Sequence, residues 1–300
     1  MAISATRERW IRVVTAVAGP GAETMVRPFE SGDRVAVLQL VAADLLPGLT
    51  GPTFAELDLA VEGTGLNGPV VRAGLEDVRT EVLALADGQA VGAVSWAVRP
   101  SDGAGELLWL HCLEDEQHLA RALLERAVTG LGRRTVHAFV EPTTLAPAGL
   151  PVRMRPGTRR ALEACGFSGL DRWRYLHRRL DDRGGRLYAV ADVVECPELP
   201  GWRLQLRERD GSRIGEAIVG LPIEGTTTLQ WVSLTPARRS MGNILLEQCL
   251  AHLADRGVRE VTTILPAPVD GRPDLDAALA LHTAAGFAEI DQLHIYTRRP

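Results

Sequence analysis

Arg160-Ala161-Leu162-Glu163-Ala164-Cys165-Gly166-Phe167, running on to Trp173-Arg174-Tyr175, has a counterpart in Ala280-Leu281-His282-Thr283-Ala284-Ala285-Gly286-Phe287, running on to His294-Ile295-Tyr296. Each copy reads as a short amphipathic helix, a Gly-Phe stop and a strand that ends in aromatics. Each follows an earlier strand–helix–strand passage. The repeat is therefore of a whole mixed α/β unit, and it predicts a duplicated domain. The copies differ where chemistry would be done: Leu162 in the first stands at the place of His282 in the second.

Working outward, the first unit spans residues 25–181, with residues 1–24 as an N-terminal extension. Residues 33–46 have helical spacing, with Asp33 as N-cap. Residues 54–61 and 70–78 read as further helices. A meander follows: strands 82–86, 91–98 and 107–112, joined by turns at Asp87-Gly88 and Asp102-Gly103. Then come helix 117–129, strand 135–140, a Pro/Gly-rich loop and the Gly-Phe helix. A linker of Asp-Asp-Arg-Gly-Gly composition leads to the second unit, 182–300. That unit repeats the order: strands 186–194, 203–207, 213–219 and 227–234, helix 243–256, strand 260–265 and helix 274–285. The two helices that precede the first meander have no counterpart in it.

Composition narrows the function classes. The 300 residues carry a net charge of −5, with 46% hydrophobic and 24% charged residues. Cores can form, and wholesale binding to nucleic acid or anionic membrane is disfavoured. All 33 basic residues are arginine. That excludes phosphate-loop lysines and lysine Schiff bases. Cys112, Cys165, Cys196 and Cys249 are scattered, with no metal-ligand spacing, which fits a reducing cytoplasm and no metal. No secretory signal is evident and no apolar run reaches transmembrane length.

The segment that bears on chemistry is Trp231-Val232-Ser233-Leu234-Thr235-Pro236-Ala237-Arg238-Arg239-Ser240-Met241-Gly242-Asn243. A strand stops at Pro236 and a helix starts near Gly242. Free amides at a helix N-terminus point one way and carry positive partial charge, so a pyrophosphate would bind there. Ser240 and Gly242 let the backbone approach it, and Arg238 and Arg239 supply charge-assisted contacts.

The order of elements and the Gly-Phe ending resemble the GNAT superfamily of acyl-CoA N-acyltransferases, over nearly the whole chain and twice. The resemblance implies an α/β (α+β) fold of two tandem mixed-sheet domains, the second shortened at its start. It implies acetyl-CoA or another acyl-CoA as co-substrate. The family's pyrophosphate loop, Arg/Gln-x-x-Gly-x-Gly/Ala, maps onto Leu234, Arg238, Arg239, Ser240, Met241, Gly242 and Asn243. With the helices in register, Ala237 falls where the arginine is expected. Counted from Pro236, Arg239-x-x-Gly242 fits and Ile244 takes a small-residue position. His282 stands where the family's tyrosine sits near the CoA sulfur. A neutral imidazole there would hydrogen-bond the sulfur; an imidazolium would give up a proton. The base for the incoming amine is sought in Glu216, Asp274 and Asp276.

At the corresponding place the first unit has Glu114, Asp115 and Glu116, like charge for a diphosphate. It is expected to have lost the cofactor site, its acidic loop favouring the helix that follows. In the family the leading helices line the acceptor pocket, so the first unit is expected to close that side of the second. The reading is an N-acyltransferase acting on an amine of a small molecule or peptide. The alternatives are a non-catalytic acyl-CoA-binding or interaction module and, disfavoured by charge, a transferase using charged tRNA. A homodimer is left open.

Overall fold

The structure, a computed structural model, describes residues 24–63, 75–180, 191–196, 200–235, 240–267 and 273–300. The chain makes two compact units. Unit 1 takes the described part of Met1–Leu45 and Gly51–Arg172, with Leu293–Pro300; unit 2 takes Leu46–Thr50 and Trp173–Gln292. The sequence places the junction at 181. In the fold, residues 173–179 already belong to unit 2, and the last eight residues belong to unit 1.

Unit 1 starts with β1 (Thr24–Pro28), α1 (Arg34–Ala43) and α2 (Phe54–Val61). Asp33 stands at the N-cap of α1, but its carboxylate is turned away from the helix. It accepts from the Glu30 amide at 2.8 Å and takes both Arg27 nitrogens at 2.7 Å. For α2 the capping box is complete: Thr53 and Glu56 exchange bonds between side chain and backbone. Then follow β2 (Glu76–Leu85), β3 (Ala90–Arg99), β4 (Ala104–Cys112), α3 (Gln117–Leu131), β5 (Val136–Ala138), the two-residue β6 (Leu150–Pro151) and α4 (Pro156–Ala164). The helix expected over 70–78 is strand from Glu76 onward, because those residues pair with β3; residues 64–74 lie outside the described set. Strands run in the order β1-β2-β3-β4-β5, antiparallel except for the parallel β4–β5 pair. Beyond β5 the last strand, β13 (Ala288–Arg298), pairs Tyr296 with Ala138 and Arg298 with Val136.

The unit 1 sheet buries both faces. On one, Leu107, Leu110 and Cys112 pack with Leu119, Leu123 and Leu124 of α3. On the other, Leu108 and Trp109 pack with Val37 and Val41 of α1 and Leu57 and Ala60 of α2. β4 thus sends side chains to both faces and serves both layers.

Unit 2 contains residues 173–179 of β7 (Ser168–Arg179), then β8 (Ala191–Glu195), β9 (Gly201–Arg207), β10 (Arg213–Gly220), β11 (Thr226–Leu234), α5 (Gly242–Ala254), β12 (Glu260–Pro266) and α6 (Pro273–Ala284). The strands are ordered β8-β9-β10-β11-β12-β7, with β11–β12 the parallel pair. Its core lies on the α5 face: Leu204, Leu206, Ala217, Val219 and Leu229 with Leu245, Leu246, Cys249 and Leu253. No helix precedes its meander among the described residues, as the sequence implied. Among those residues no helix is long and apolar enough to cross a membrane.

Candidate active site

The parallel strands of unit 2 are paired only at Thr226↔Glu260, Thr227↔Val261 and Thr228↔Thr262. A bulge ends the pairing. Along β10, Val219 faces Leu229 and Ile218 faces Trp231, so Gln230 is an extra residue. A bulge bends its strand and redirects the side chains that follow. β12 runs on straight to Pro266, and a cavity of about 630 Å³ opens between the strands and α6. Ligand pockets span roughly 300–1,000 Å³, so this one has room for a substrate. Gln230, Trp231, Val232 and Leu234 line it from β11, and Thr263, Ile264 and Leu265 from β12. The first three turns of α6 supply Asp274, Leu281 and His282 among others, and β7 supplies Trp173.

His282 reaches this cavity and is 2% exposed. Its Nδ1 lies 2.8 Å from the Ala278 carbonyl oxygen. A carbonyl only accepts, so Nδ1 carries the proton and donates it along its own helix. In the neutral ring Nε2 is then a bare lone pair, and it is enclosed with no hydrogen-bond partner. Burial pushes the imidazole pKa below its ordinary value, against the raising effect of the Ala278 bond. The edge of Phe287 packs on the ring at 5.5 Å between centroids. His282 is therefore neutral at pH 7. The one N–H of the neutral ring is thus engaged by its own helix.

At the start of α5 the N-cap position is Met241, with no side-chain cap. Amides at a helix start that lack a side-chain cap are suited to taking an anion. Ser240 and Asn243 are exposed there and Gly242 is buried. A Cβ on Gly242 would stand 2.8 Å from Leu234 Cδ1 and 3.1 Å from Leu281 Cδ1. The glycine thus lets α5 seat against two walls of the cavity. Arg238 and Arg239 lie outside the described residues, with Pro236 and Ala237.

The expected bases are not gathered around His282. Glu216 is on β10 opposite Ser233, is not a lining residue, and pairs with Arg213 at 3.1 Å. Asp276 is exposed and outside the lining. Asp274, in the first turn of α6, is the one carboxylate among the described lining residues.

Unit 1 repeats the geometry and fills it. The β4–β5 pairing runs from Gly105↔Val136 to Leu107↔Ala138, and a bulge at Leu108 follows, with Ser95 facing Trp109 and Trp96 facing Leu107. But β5 stops there. Phe139 takes a left-handed conformation (φ +60°), donating to the Leu107 carbonyl at 3.0 Å and accepting from Gly149 at 2.8 Å. Buried Arg155 pairs with Asp44 at 3.2 Å, and Asp44 takes His111 Nδ1 at 2.7 Å. Among the described residues the cavity at this place is about 30 Å³. Leu162, at the position of His282, is fully buried. At α3, the helix directly after the acidic loop, the N-cap Glu116 makes no side-chain capping bond. Asp115 instead caps α4, accepting from the amides of Gly157 and Thr158 and from the Thr158 hydroxyl. The capped helix is the Gly-Phe one, forty residues further on.

The shared bulge also exposes a correspondence the sequence reading missed: Leu107-Leu108-Trp109 and Leu229-Gln230-Trp231 occupy the same positions in the two units. The Leu-x-Trp in both meanders was the available signal. Solved structures match this fold over nearly the whole chain. A GCN5-related N-acetyltransferase from Sphaerobacter thermophilus superposes with a TM-score of 0.60 over 92% of this chain and 96% of its own, at 15% identity. The fold is the GNAT fold, in tandem. A tandem GNAT protein from the clavulanic acid biosynthesis pathway gives a TM-score of 0.55 at 17% identity, covering 92% of this chain and 98% of its own. A GNAT-family acetyltransferase from Colwellia psychrerythraea gives 0.53 at 12%, covering 92% and 100%. No family model and no curated sequence matches the chain.

Proposed function

We propose that unit 2 is an acyl-CoA-dependent N-acyltransferase and that unit 1 is a non-catalytic copy of the same fold. The single observation that carries this is the contrast in the gap between parallel strands: about 630 Å³ in unit 2 and about 30 Å³ in unit 1. Acyl-CoA, in this reading, lays its pyrophosphate on the uncapped amides at Ser240–Asn243 and its thioester arm between β11 and β12. The acceptor amine attacks the thioester carbon directly. The C–N bond forms, the C–S bond breaks, the amine proton passes to water and the thiolate leaves. A backbone amide of β11 beyond Thr228, freed from its parallel partner, meets the developing oxyanion. The Nδ1–H of His282, shared with the Ala278 carbonyl, hydrogen-bonds the departing sulfur.

Acetyl-CoA titrated into the full chain should raise Tm, because a ligand that binds only the native state stabilises it. Transfer to an amine should release free thiol. No shift with acetyl-, malonyl- or longer acyl-CoA would overturn the proposal. The second reading, an acyl-CoA-binding module without turnover, is favoured by one observation: His282 Nε2 is enclosed and Nδ1 is engaged. A Tm shift without thiol release, over a panel of amines, would select it.

A further inference from the structure

Trp109 and Trp231 hold one position in the two meanders and have opposite surroundings. Trp109 is 2% exposed; it lies under α1 and α2, and its indole N–H donates to the Ala60 carbonyl of α2 at 3.3 Å. Trp231 is 57% exposed and lines the cavity. Its strand neighbours Val232 and Leu234 pack into the α5-side core, so alternation puts Trp231 on the opposite face. That is the face which α1 and α2 cover in unit 1. Unit 2 has no such helices among the described residues, and so an indole that is core in one copy is open in the other.

The rest of the lining matches it. Trp173, Ile264 and Leu265 extend the apolar wall, and no arginine stands among the described lining residues of a chain without lysine. The carboxylate there is Asp274. Such walls suit an ammonium on an apolar body. An indole face attracts both aromatic rings and cations, and an anionic ligand would be desolvated with no described cation to meet it.

We infer that Trp231 is the recognition platform for the acceptor, and that the acceptor is a primary amine with an aromatic or apolar body and no anionic group. The inference rests on the acyltransferase reading only in calling this ligand an acceptor; the binding itself does not need it.

Calorimetric titration of the full chain would use 2-phenylethylamine, glucosamine and L-glutamate as probes. 2-Phenylethylamine should bind at least about tenfold more tightly than either of the others. Trp231→Ala should weaken it by about tenfold or more, and Trp231→Phe should largely restore it. Tm of the ligand-free Trp231→Ala protein should match that of the parent chain, which separates lost recognition from lost folding. Equal binding of L-glutamate, or of 2-phenylethylamine by the Trp231→Ala protein, would overturn the inference. If 2-phenylethylamine binds on Trp231 and acetyl-CoA gives no shift, the platform stands and the acyltransferase reading falls.

Discussion

Two tryptophans at one position of a repeated strand separate burial from chemistry. Trp109→Ala removes a fully covered indole and its bond to the Ala60 carbonyl, so it should cost about 3–5 kcal/mol in chemical denaturation. Trp231→Ala should cost about 0.5 kcal/mol or less, because most of the side chain already faces solvent. His282 makes a second test at this scale. In the proposed role of a neutral hydrogen-bond donor it would contribute about tenfold or less to kcat, the net value of one hydrogen bond. An imidazolium acid would be missed by about 10²–10⁴-fold. His282→Ala should therefore lower kcat only modestly, with the Tm response to acetyl-CoA kept. Burial depresses the pKa values of both His282 and His111. The unfolded chain then binds more protons than the fold below an unfolded value of about 6.5. Their contribution to stability is complete above that pH and is lost as pH falls through the depressed folded values. Denaturation midpoints at pH 7.5 and 5.5 measure it, and His282→Gln should flatten part of the slope.

Helix ends decide what each element can bind. The start of α5 has exposed Ser240 and no side-chain cap. Ser240→Glu would place a carboxylate where the pyrophosphate is proposed to lie, without the packing clash that any side chain at Gly242 would cause. It should abolish the acetyl-CoA shift while leaving ligand-free Tm unchanged or slightly higher, since an anion suits a helix N-terminus. The start of α4 in unit 1 is already taken by Asp115. The loop comes so close that a Cβ on Gly157 would collide with the Asp115 carbonyl oxygen. Gly157→Ala should therefore destabilise the protein by about 1–3 kcal/mol, the usual cost of overpacking, seen as a lower denaturant midpoint.

At the scale of the whole molecule, each unit takes a strand segment from the other half of the sequence. Residues 173–179 pair along β12 from Arg179↔Glu260 to Trp173↔Pro266. Residues 293–298 complete the sheet of unit 1, where Tyr296 is 1% exposed in the same core as Leu123 and Phe167. A fragment cut at the linker, 182–300, lacks its β7 segment and should fail to give a cooperative unfolding transition. Removing Leu293–Pro300 from the full chain should unfold unit 1, seen as loss of a transition in calorimetry. Activity measurements on fragment 182–300 would thus report on folding before they report on the role of unit 1.

Much of the fold was legible in the chain itself. The Gly-Phe endings, the turns at Asp87-Gly88 and Asp102-Gly103 and the alternation of the meanders located helices and strands in both units, because local periodicity and turn chemistry are properties of neighbouring residues. What the tertiary structure alone decided depends on residues far apart in sequence. The bulges at Leu108 and Gln230 show only against the partner strand. The turn of β5 at Phe139 fills one cleft, and the straight run of β12 leaves the other open. The bond of His282 Nδ1 to the Ala278 carbonyl shows only in the folded helix. Trp231 read as one more strand aromatic, since whether an indole is core or platform depends on what packs over it. The two Gly-Phe strands read as endings of their own repeats. Their pairing partners, β12 for one and β5 for the other, distribute them between the units. Backbone hydrogen bonding rewards any adjacent edge, whatever the distance along the chain.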